Sequence, residues 1–133
     1  MAETTVTPFL MFQNGDAEEA MNFYVSQFAD ASIIDIVRYG AGGPGAEGSV
    51  MKASFSLAGQ TVICIDSPVK HDFTFTPSMS LFVTCETEEQ IRKLAAVFAA
   101  GGRELMPLNN YGFSQLFAWV NDRFGVSWQL SFN

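Results

Sequence analysis

Apolar and polar residues alternate in several short segments of the chain, and this pattern predicts β-strands. The clearest case is residues 50–57, where Met51, Ala53, Phe55 and Leu57 alternate with polar or small side chains. Other segments are short apolar runs between turn residues. Together these patterns predict eight strands, at residues 9–12, 31–39, 50–57, 61–65, 79–84, 103–106, 114–120 and 126–132.

Two further segments carry apolar residues at helical spacing, and each follows a capping pattern. Asp16 and Glu19 precede the first, with Asp in place of the usual Ser or Thr. Thr87 and Gln90 precede the second, and Gly101 follows it as a helix terminator. The two predicted apolar faces consist of Ala17, Ala20, Met21, Tyr24 and Phe28, and of Ile91, Leu94, Ala95 and Phe98.

The same order of elements occurs twice: one strand, one helix and three strands. The two predicted caps, Asp16 and Thr87, are 71 positions apart, which is about half of the 133 residues. Neither half is expected to bury its sheet alone, so the halves should act as one domain. We therefore predict an α+β fold with modules at about 6–66 and 77–133 and a linker at about 67–76.

The charge balance excludes some classes of partner. Fourteen acidic and seven basic residues give a net charge of −7, which disfavours both nucleic acid and an anionic membrane surface. A neutral or cationic small molecule is compatible with this charge. No apolar run approaches the roughly 20 residues that span a bilayer, and no signal-peptide pattern begins the chain. A cytoplasmic location is therefore expected.

Two motifs favour ordinary structural explanations. Cys64 and Cys85 lie in apolar runs without CxxC spacing, which favours buried reduced thiols over a redox pair. Gly40, Gly42 and Gly45 match a dinucleotide-binding pattern, but an alternating strand follows them instead of a helix. This context favours a mobile loop.

Strand parity indicates a more informative surface. If Met51, Phe55, Trp128, Leu130 and Phe132 pack under the helices, the opposite sheet faces carry hydroxyl, amide and aromatic groups but few charges. Such a mixture suits a pocket with a few orienting hydrogen bonds, or an interface covered by a partner subunit. The set comprises Phe9, Ser54, Ser56, Ser80, Phe82, Phe117, Trp119, Ser127, Gln129 and Ser131.

Three stretches of the chain together resemble the PhnB-like family of the vicinal oxygen chelate superfamily. They are PFLMFQNGDAEEAMNFY, RYGAGGPGAEGSVM and WVNDRFGVSWQL. This superfamily includes glyoxalase I, extradiol dioxygenases and bleomycin-resistance proteins. The resemblance implies paired βαβββ modules that form a curved mixed sheet around a cavity, in a homodimer.

In metal-dependent members of the superfamily, four strand residues, usually His and Glu, ligate a divalent ion. The resemblance places these positions at Phe9, Ser54, Ser80 and Gln129. Phe cannot ligate, and Ser and Gln are poor substitutes for imidazole or carboxylate. We therefore expect no catalytic metal and no other cofactor.

Two functional hypotheses follow, and a plain structural or interaction domain is a third possibility. The first is a metal-independent protein that binds a small molecule. The second is an enzyme that acts on a small molecule, either through acid–base chemistry of the single histidine, His71, or its neighbour Asp72, or through a metal site with ligands outside the expected positions. The predicted ligand-binding residues of the first hypothesis are Phe9, Ser54, Ser80, Phe117, Trp119 and Gln129.

Overall fold

The computed structural model describes residues 3–133 and contains two βαβββ modules, as the sequence pattern predicts. The first strand, first helix and next three strands form one module, and the same series follows. In chain order the elements are β1 (Phe9–Phe12), α1 (Ala17–Ser26), β2 (Ala31–Arg38), β3 (Val50–Leu57), β4 (Gln60–Asp66), β5 (Leu81–Thr84), α2 (Glu88–Ala99), β6 (Arg103–Asn109), β7 (Leu116–Asn121) and β8 (Ser127–Phe132).

Each module forms its own four-stranded mixed sheet. The strand order is β1-β4-β3-β2 in the first sheet and β5-β8-β7-β6 in the second. In each sheet the first strand pairs in parallel with the last, and the remaining neighbours are antiparallel. The chain divides into two compact units, the first ending at Asp72 and the second spanning Phe73–Asn133.

In the first unit, α1 packs against β2, β3 and β4. Tyr24 and Phe55 are fully buried, with ring centroids 6.3 Å apart, so they join helix to sheet. Met51 differs from the prediction because it is exposed instead of lying under the helix. A register irregularity pairs Arg38 with Val50 and interrupts the alternation of β3 at Met51. The bulge turns Met51 outward and buries Val50.

The N-terminus of α1 is held by a residue far along the chain. The Asp66 carboxylate accepts a hydrogen bond from the Ala17 amide at 2.9 Å and another from the Val50 amide at 2.8 Å. Asp16 makes no side-chain cap hydrogen bond, so its predicted capping role is wrong. Its backbone φ of −109° and ψ of 17° lie outside the extended conformation of a typical N-cap.

In the second unit, α2 packs against β6, β7 and β8. The predicted cap is confirmed, since the Thr87 hydroxyl accepts a hydrogen bond from the Gln90 amide at 3.0 Å. The Gln90 side chain in turn accepts from the Glu86 amide at 2.8 Å. Phe98 of α2 stacks on Trp128 of β8 with ring centroids 4.4 Å apart. These two buried rings anchor the helix to its sheet.

The glycine-rich loop between β2 and β3 folds back on the first unit. Tyr39 pairs with Ser49 and Gly48 through backbone hydrogen bonds of 2.9 Å, which close the loop at its base. The Tyr39 hydroxyl donates to the Asp66 carbonyl. A Cβ at Gly45 would lie 2.5 Å from the Tyr39 ring, so glycine is required there.

No helix within residues 3–133 is long and apolar enough to cross a membrane.

Candidate functional site

The face of the second sheet that lies away from α2 brings together an aromatic and polar row. In the β5–β8 register Phe82 is opposite Gln129, and in the β7–β8 register Trp119 is opposite the same Gln129. Directly opposed residues project from the same face of a sheet. The helix side of this sheet instead carries buried apolar residues such as Leu130. The amide of Gln129 therefore lies between two aromatic side chains.

A chain of hydrogen bonds runs under this row. Trp119 Nε1 donates to Ser127 Oγ at 2.9 Å, and the Ser127 and Ser80 hydroxyls are 2.7 Å apart. Gln129 Nε2 donates to Ser80 Oγ at 3.3 Å. We call these four residues with Phe82 the polar–aromatic cluster. Its polar groups come from β7, from β8 and from the residue directly before β5.

The members of the cluster differ in their access to solvent. Phe82 is 59% exposed, whereas Ser127 is 1% exposed. Ser80, Trp119 and Gln129 are partly exposed. Within residues 3–133, no other aromatic ring packs against Phe82 or Trp119. The cluster therefore presents two unstacked aromatic surfaces above a buried polar base, and none of its side chains is charged.

Phe117, which the sequence also predicts for the site, occupies a different position. It pairs with Ser131 on the same face, but it is 5% exposed. Phe113 contacts it edge-on at 4.8 Å, and Tyr111 does so at 6.2 Å. These two aromatic residues precede β7 and cover Phe117, so Phe113 supplies the exposed aromatic surface at this end of the strand.

The predicted site residues of the first unit share a face of their own sheet. Phe9 is opposite Ile63 in β4, and Ile63 is opposite Ser54 in β3. Phe9 is exposed and Ser54 is partly exposed. The structure thus places Phe9 with Ser54 in one unit, and Ser80, Trp119 and Gln129 together in the other.

The two candidate acid–base residues lie in the connection between β4 and β5. His71 and Asp72 are both exposed. The backbone amide of His71 donates to Gln13 Oε1 at 2.6 Å, and Lys70 Nζ donates to Asn14 Oδ1 at 2.8 Å. These contacts fix the start of the connection against the segment that follows β1. Catalysis by His71 or Asp72 stays a prediction.

The residues that the family resemblance assigns to the four metal-ligand positions are chemically unsuited to a divalent ion. Phe9 has no donor atom, and the Ser80 hydroxyl is already engaged by Ser127 and Gln129. Neutral oxygens without a carboxylate or imidazole hold such ions weakly. Across residues 3–133, no group of three or more His, Cys, Asp or Glu side chains has an arrangement that holds a metal.

The two cysteines are not suited to nucleophilic chemistry. Cys64 and Cys85 are free and buried, as the sequence pattern predicts. Burial, together with the nearby Asp66 carboxylate, raises the pKa of the Cys64 thiol to about 12. Burial raises the pKa of the Cys85 thiol to about 11. Both thiols therefore stay protonated at neutral pH, and the thiolate is the reactive form.

Two members of the cluster were not among the predicted ligand-binding residues. Phe82 and Ser127 have the same strand parity as Gln129, which is a signal that the sequence contains. What the sequence lacks is the hydrogen-bond partner of Ser127. Ser80 is 47 positions away, and the pairing of β5 with β8 brings it to 2.7 Å.

Comparisons with known proteins agree with this architecture. The family described as 3-demethylubiquinone-9 3-methyltransferase matches residues 4–131. The structure of the PhnB protein from Bacillus cereus is 55% identical, covers 98% of this chain and 100% of its own, and has a TM-score of 0.94. The chain belongs to the same PhnB-like family as this protein.

More distant structures share the fold of this PhnB-like protein. A protein from Pseudomonas aeruginosa is 20% identical, with 98% of both chains covered and a TM-score of 0.84. A fosfomycin resistance protein from Listeria monocytogenes is 10% identical, covers 100% of this chain and 95% of its own, and has a TM-score of 0.63. At these identities the likeness shows the fold alone. No curated protein matches the chain.

Proposed function

We propose that this PhnB-like protein binds a small organic molecule, without a metal ion, at the polar–aromatic cluster of its second unit. The observation that carries the proposal is the row formed by Phe82, Gln129 and Trp119. Two unstacked aromatic side chains flank an amide that reaches a part-buried pair of hydroxyls. Ligand sites combine apolar walls with a few fixed polar groups in this way.

The composition of this sheet face supports the view that a ligand, and not only water, contacts it. A sheet face that only meets solvent is normally rich in charged side chains. Here the central positions are aromatic, hydroxyl and amide groups, and Phe82 is more than half exposed. Burying such an aromatic surface against a flat ligand is favourable, because large aromatic side chains contribute strongly to binding.

The charge of the protein favours a neutral or cationic ligand. The net charge is −7, so an anionic molecule would approach against an unfavourable field. The cluster itself has no ionisable side chain apart from neutral hydroxyls. A ligand that enters it needs hydrogen-bonding groups more than it needs a counter-charge.

The family description names a methyltransferase, and the sheets of this chain favour a binding function instead. Both sheets are mixed and four-stranded. Nucleotide-type cofactors are typically held by a doubly wound, mostly parallel sheet with a glycine-rich turn before a helix. The glycine-rich stretch of this chain lies between two antiparallel strands, β2 and β3. Methyl transfer is therefore not part of the proposal.

Tryptophan fluorescence tests the proposal directly. A library of aromatic fragments is titrated into the protein, and binders are expected to change the emission of Trp119. The Trp119→Phe variant removes this signal, because the remaining Trp128 is buried against Phe98. Phe82→Ala is expected to weaken binding at least tenfold.

Val69→Ala is the matched control for the binding variants. The substitution shortens a side chain that is as exposed as that of Phe82. Val69 lies in the first unit, where its backbone amide and carbonyl form hydrogen bonds with the Ser67 hydroxyl. This variant should bind like the unmodified protein. If no aromatic compound changes the fluorescence at millimolar concentration, or if Phe82→Ala binds as well as Val69→Ala, the proposed site is wrong.

A further inference from the structure

The hydrogen-bond chain of the cluster has a defined direction. Ser127 Oγ accepts a hydrogen bond from Trp119 Nε1, and within residues 3–133 its one other partner is Ser80 Oγ. Ser127 is 1% exposed, so its hydroxyl proton cannot be satisfied by bulk water. A buried donor without an acceptor is costly. Ser127 therefore donates to Ser80.

This direction leaves the Ser80 proton free to point outward. Ser80 Oγ accepts from Ser127 and from Gln129 Nε2, which uses both of its lone pairs. Its own proton then has no partner among the described residues. Because Ser80 is partly exposed, this proton is available to a ligand. The first outward group of the cluster is thus a hydrogen-bond donor.

Gln129 adds an acceptor and a second donor beside it. One of its two amide N–H groups donates to Ser80. The other N–H and the carbonyl Oε1 have no partner within residues 3–133. A primary amide presents these groups from one planar end. The exposed edge of the cluster therefore offers donors and an acceptor side by side, which a carbonyl next to an N–H complements.

The spacing of the aromatic residues limits the shape of a ligand above this edge. Phe82 and Trp119 lie directly opposite Gln129 on either side, so they are two strand spacings apart, or about 10 Å. A ring between two aromatic faces needs about 3.5 Å to each of them, or about 7 Å in total. The backbone separation of Phe82 and Trp119 exceeds this distance, so it leaves room for a single flat ring system with its edge toward Gln129.

We propose that the cluster recognises a neutral aromatic lactam, a flat ring that carries a carbonyl and an adjacent N–H. This inference rests on the proposed binding function. The ring inserts between Phe82 and Trp119, its carbonyl accepts from Ser80 or from the free N–H of Gln129, and its own N–H donates to Gln129 Oε1. A neutral ligand matches a site without ionised groups.

Three probes of nearly equal size test the inference: 2-quinolone, its N-methyl derivative and quinoline. The first has both a carbonyl and an N–H, the second lacks the N–H, and the third has only a ring nitrogen acceptor. Isothermal titration calorimetry is expected to show that 2-quinolone binds at least tenfold more tightly than either of the others. The side-chain amide signal of Gln129 should shift on binding in heteronuclear NMR spectra.

Two variants at position 129 separate hydrogen bonding from stacking. Gln129→Leu keeps the volume but removes the acceptor for the ligand N–H, so 2-quinolone should lose its advantage over its N-methyl derivative. Gln129→Glu replaces the amide N–H donor with a carboxylate oxygen, so 2-quinolone should lose at least tenfold in affinity. Cationic 2-aminoquinoline has two adjacent N–H donors, so its affinity should increase. Gln60→Leu, at an exposed glutamine at the start of β4, is the matched control.

The outcomes distinguish the two proposals. Equal affinity for the three probes in the unmodified protein overturns the lactam inference and leaves the binding function standing. No binding of any probe, together with no response to other aromatic fragments, overturns both. Unchanged thermal unfolding of the position-129 variants shows that a loss of discrimination is not a loss of fold.

Discussion

The Asp66 carboxylate caps helix α1 through the Ala17 amide, 49 positions earlier in the chain, at 2.9 Å. Its second oxygen accepts from the Val50 amide at 2.8 Å, so one buried side chain joins a helix N-terminus to the start of a strand. An anionic group at a helix N-terminus also interacts favourably with the helix dipole.

Replacement of Asp66 is therefore expected to destabilise the first unit. Asp66→Ala leaves two buried amides without acceptors, which should lower the free energy of unfolding by about 3 kcal/mol. Urea unfolding followed by circular dichroism measures this loss. Asp35→Ala removes an exposed carboxylate of the same unit and should cost about 0.5 kcal/mol or less. Equal effects of the two substitutions would contradict the capping role.

The cap of α2 predicts a smaller effect. Thr87→Ala removes the acceptor for the Gln90 amide and should lower the free energy of unfolding by about 1 kcal/mol. Thr87→Ser keeps the hydroxyl and should stay close to the unmodified protein. Thermal unfolding of both variants checks the difference, and a Thr87→Ser variant as unstable as Thr87→Ala would show that the methyl group matters instead.

The buried Cys64 thiol predicts a loss of stability at alkaline pH. Its pKa is raised from 9.0 to about 12, so the native protein keeps this proton where the unfolded chain loses it. The stabilisation from the protonated thiol is fully present below about pH 9 and is lost as the pH rises toward about 12. Over this range the free energy of unfolding falls by up to about 1.4 kcal/mol per pH unit. Between pH 9 and 11, Cys64→Ala should show a flatter decline in unfolding free energy. Parallel curves would contradict the expectation.

The family resemblance leads us to expect a homodimer. Sedimentation at micromolar concentration should give a species of twice the 14.6 kDa chain mass. The edge strand β2 carries exposed Ile33, Ile34 and Val37, which suits pairing with a second copy. Ile34→Lys should shift the equilibrium toward monomer, whereas Val69→Lys should not. A species of one chain mass alone, before any substitution, would rule the dimer out.

The expected absence of a catalytic metal is checked by elemental analysis of the purified protein. Zinc, nickel, iron and manganese should all lie well below one equivalent per chain, because the four positions that the family resemblance assigns to ligands offer no carboxylate or imidazole. Near one equivalent of any of them, lost on Gln129→Ala, would restore a metalloenzyme function.

Strand parity explains why so much of the fold and part of the site could be predicted. The alternation around Gln129 and Trp119 assigns both residues to one sheet face, and the observed register places them side by side. Periodicity reports local geometry well, since a strand repeats every two residues. The second capping box is confirmed for the same reason, because Thr87 and Gln90 are only three positions apart and their contact is local.

The errors concern contacts that are not local. Asp66 replaces Asp16 as the cap of α1 because the turn after β1 brings the helix start to the end of β4. The outward position of Met51 follows from a bulge in the pairing of β2 with β3. The Ser80–Ser127 hydrogen bond likewise depends on pairing between distant strands. The alternation of residues within one segment cannot predict contacts that depend on the pairing of distant segments.

The loop closed by Tyr39 has a practical consequence for measuring binding. At its exposed tip Gly42 has a positive φ of 76°, and a Cβ added there would meet no neighbouring atom within 4 Å, whereas Gly45 is pressed against the Tyr39 ring. Backbone hydrogen bonds at the base hold the two ends together. A short glycine-rich insertion between Gly42 and Gly43 can therefore carry a fluorescent or affinity label while the β2–β3 hairpin keeps its register.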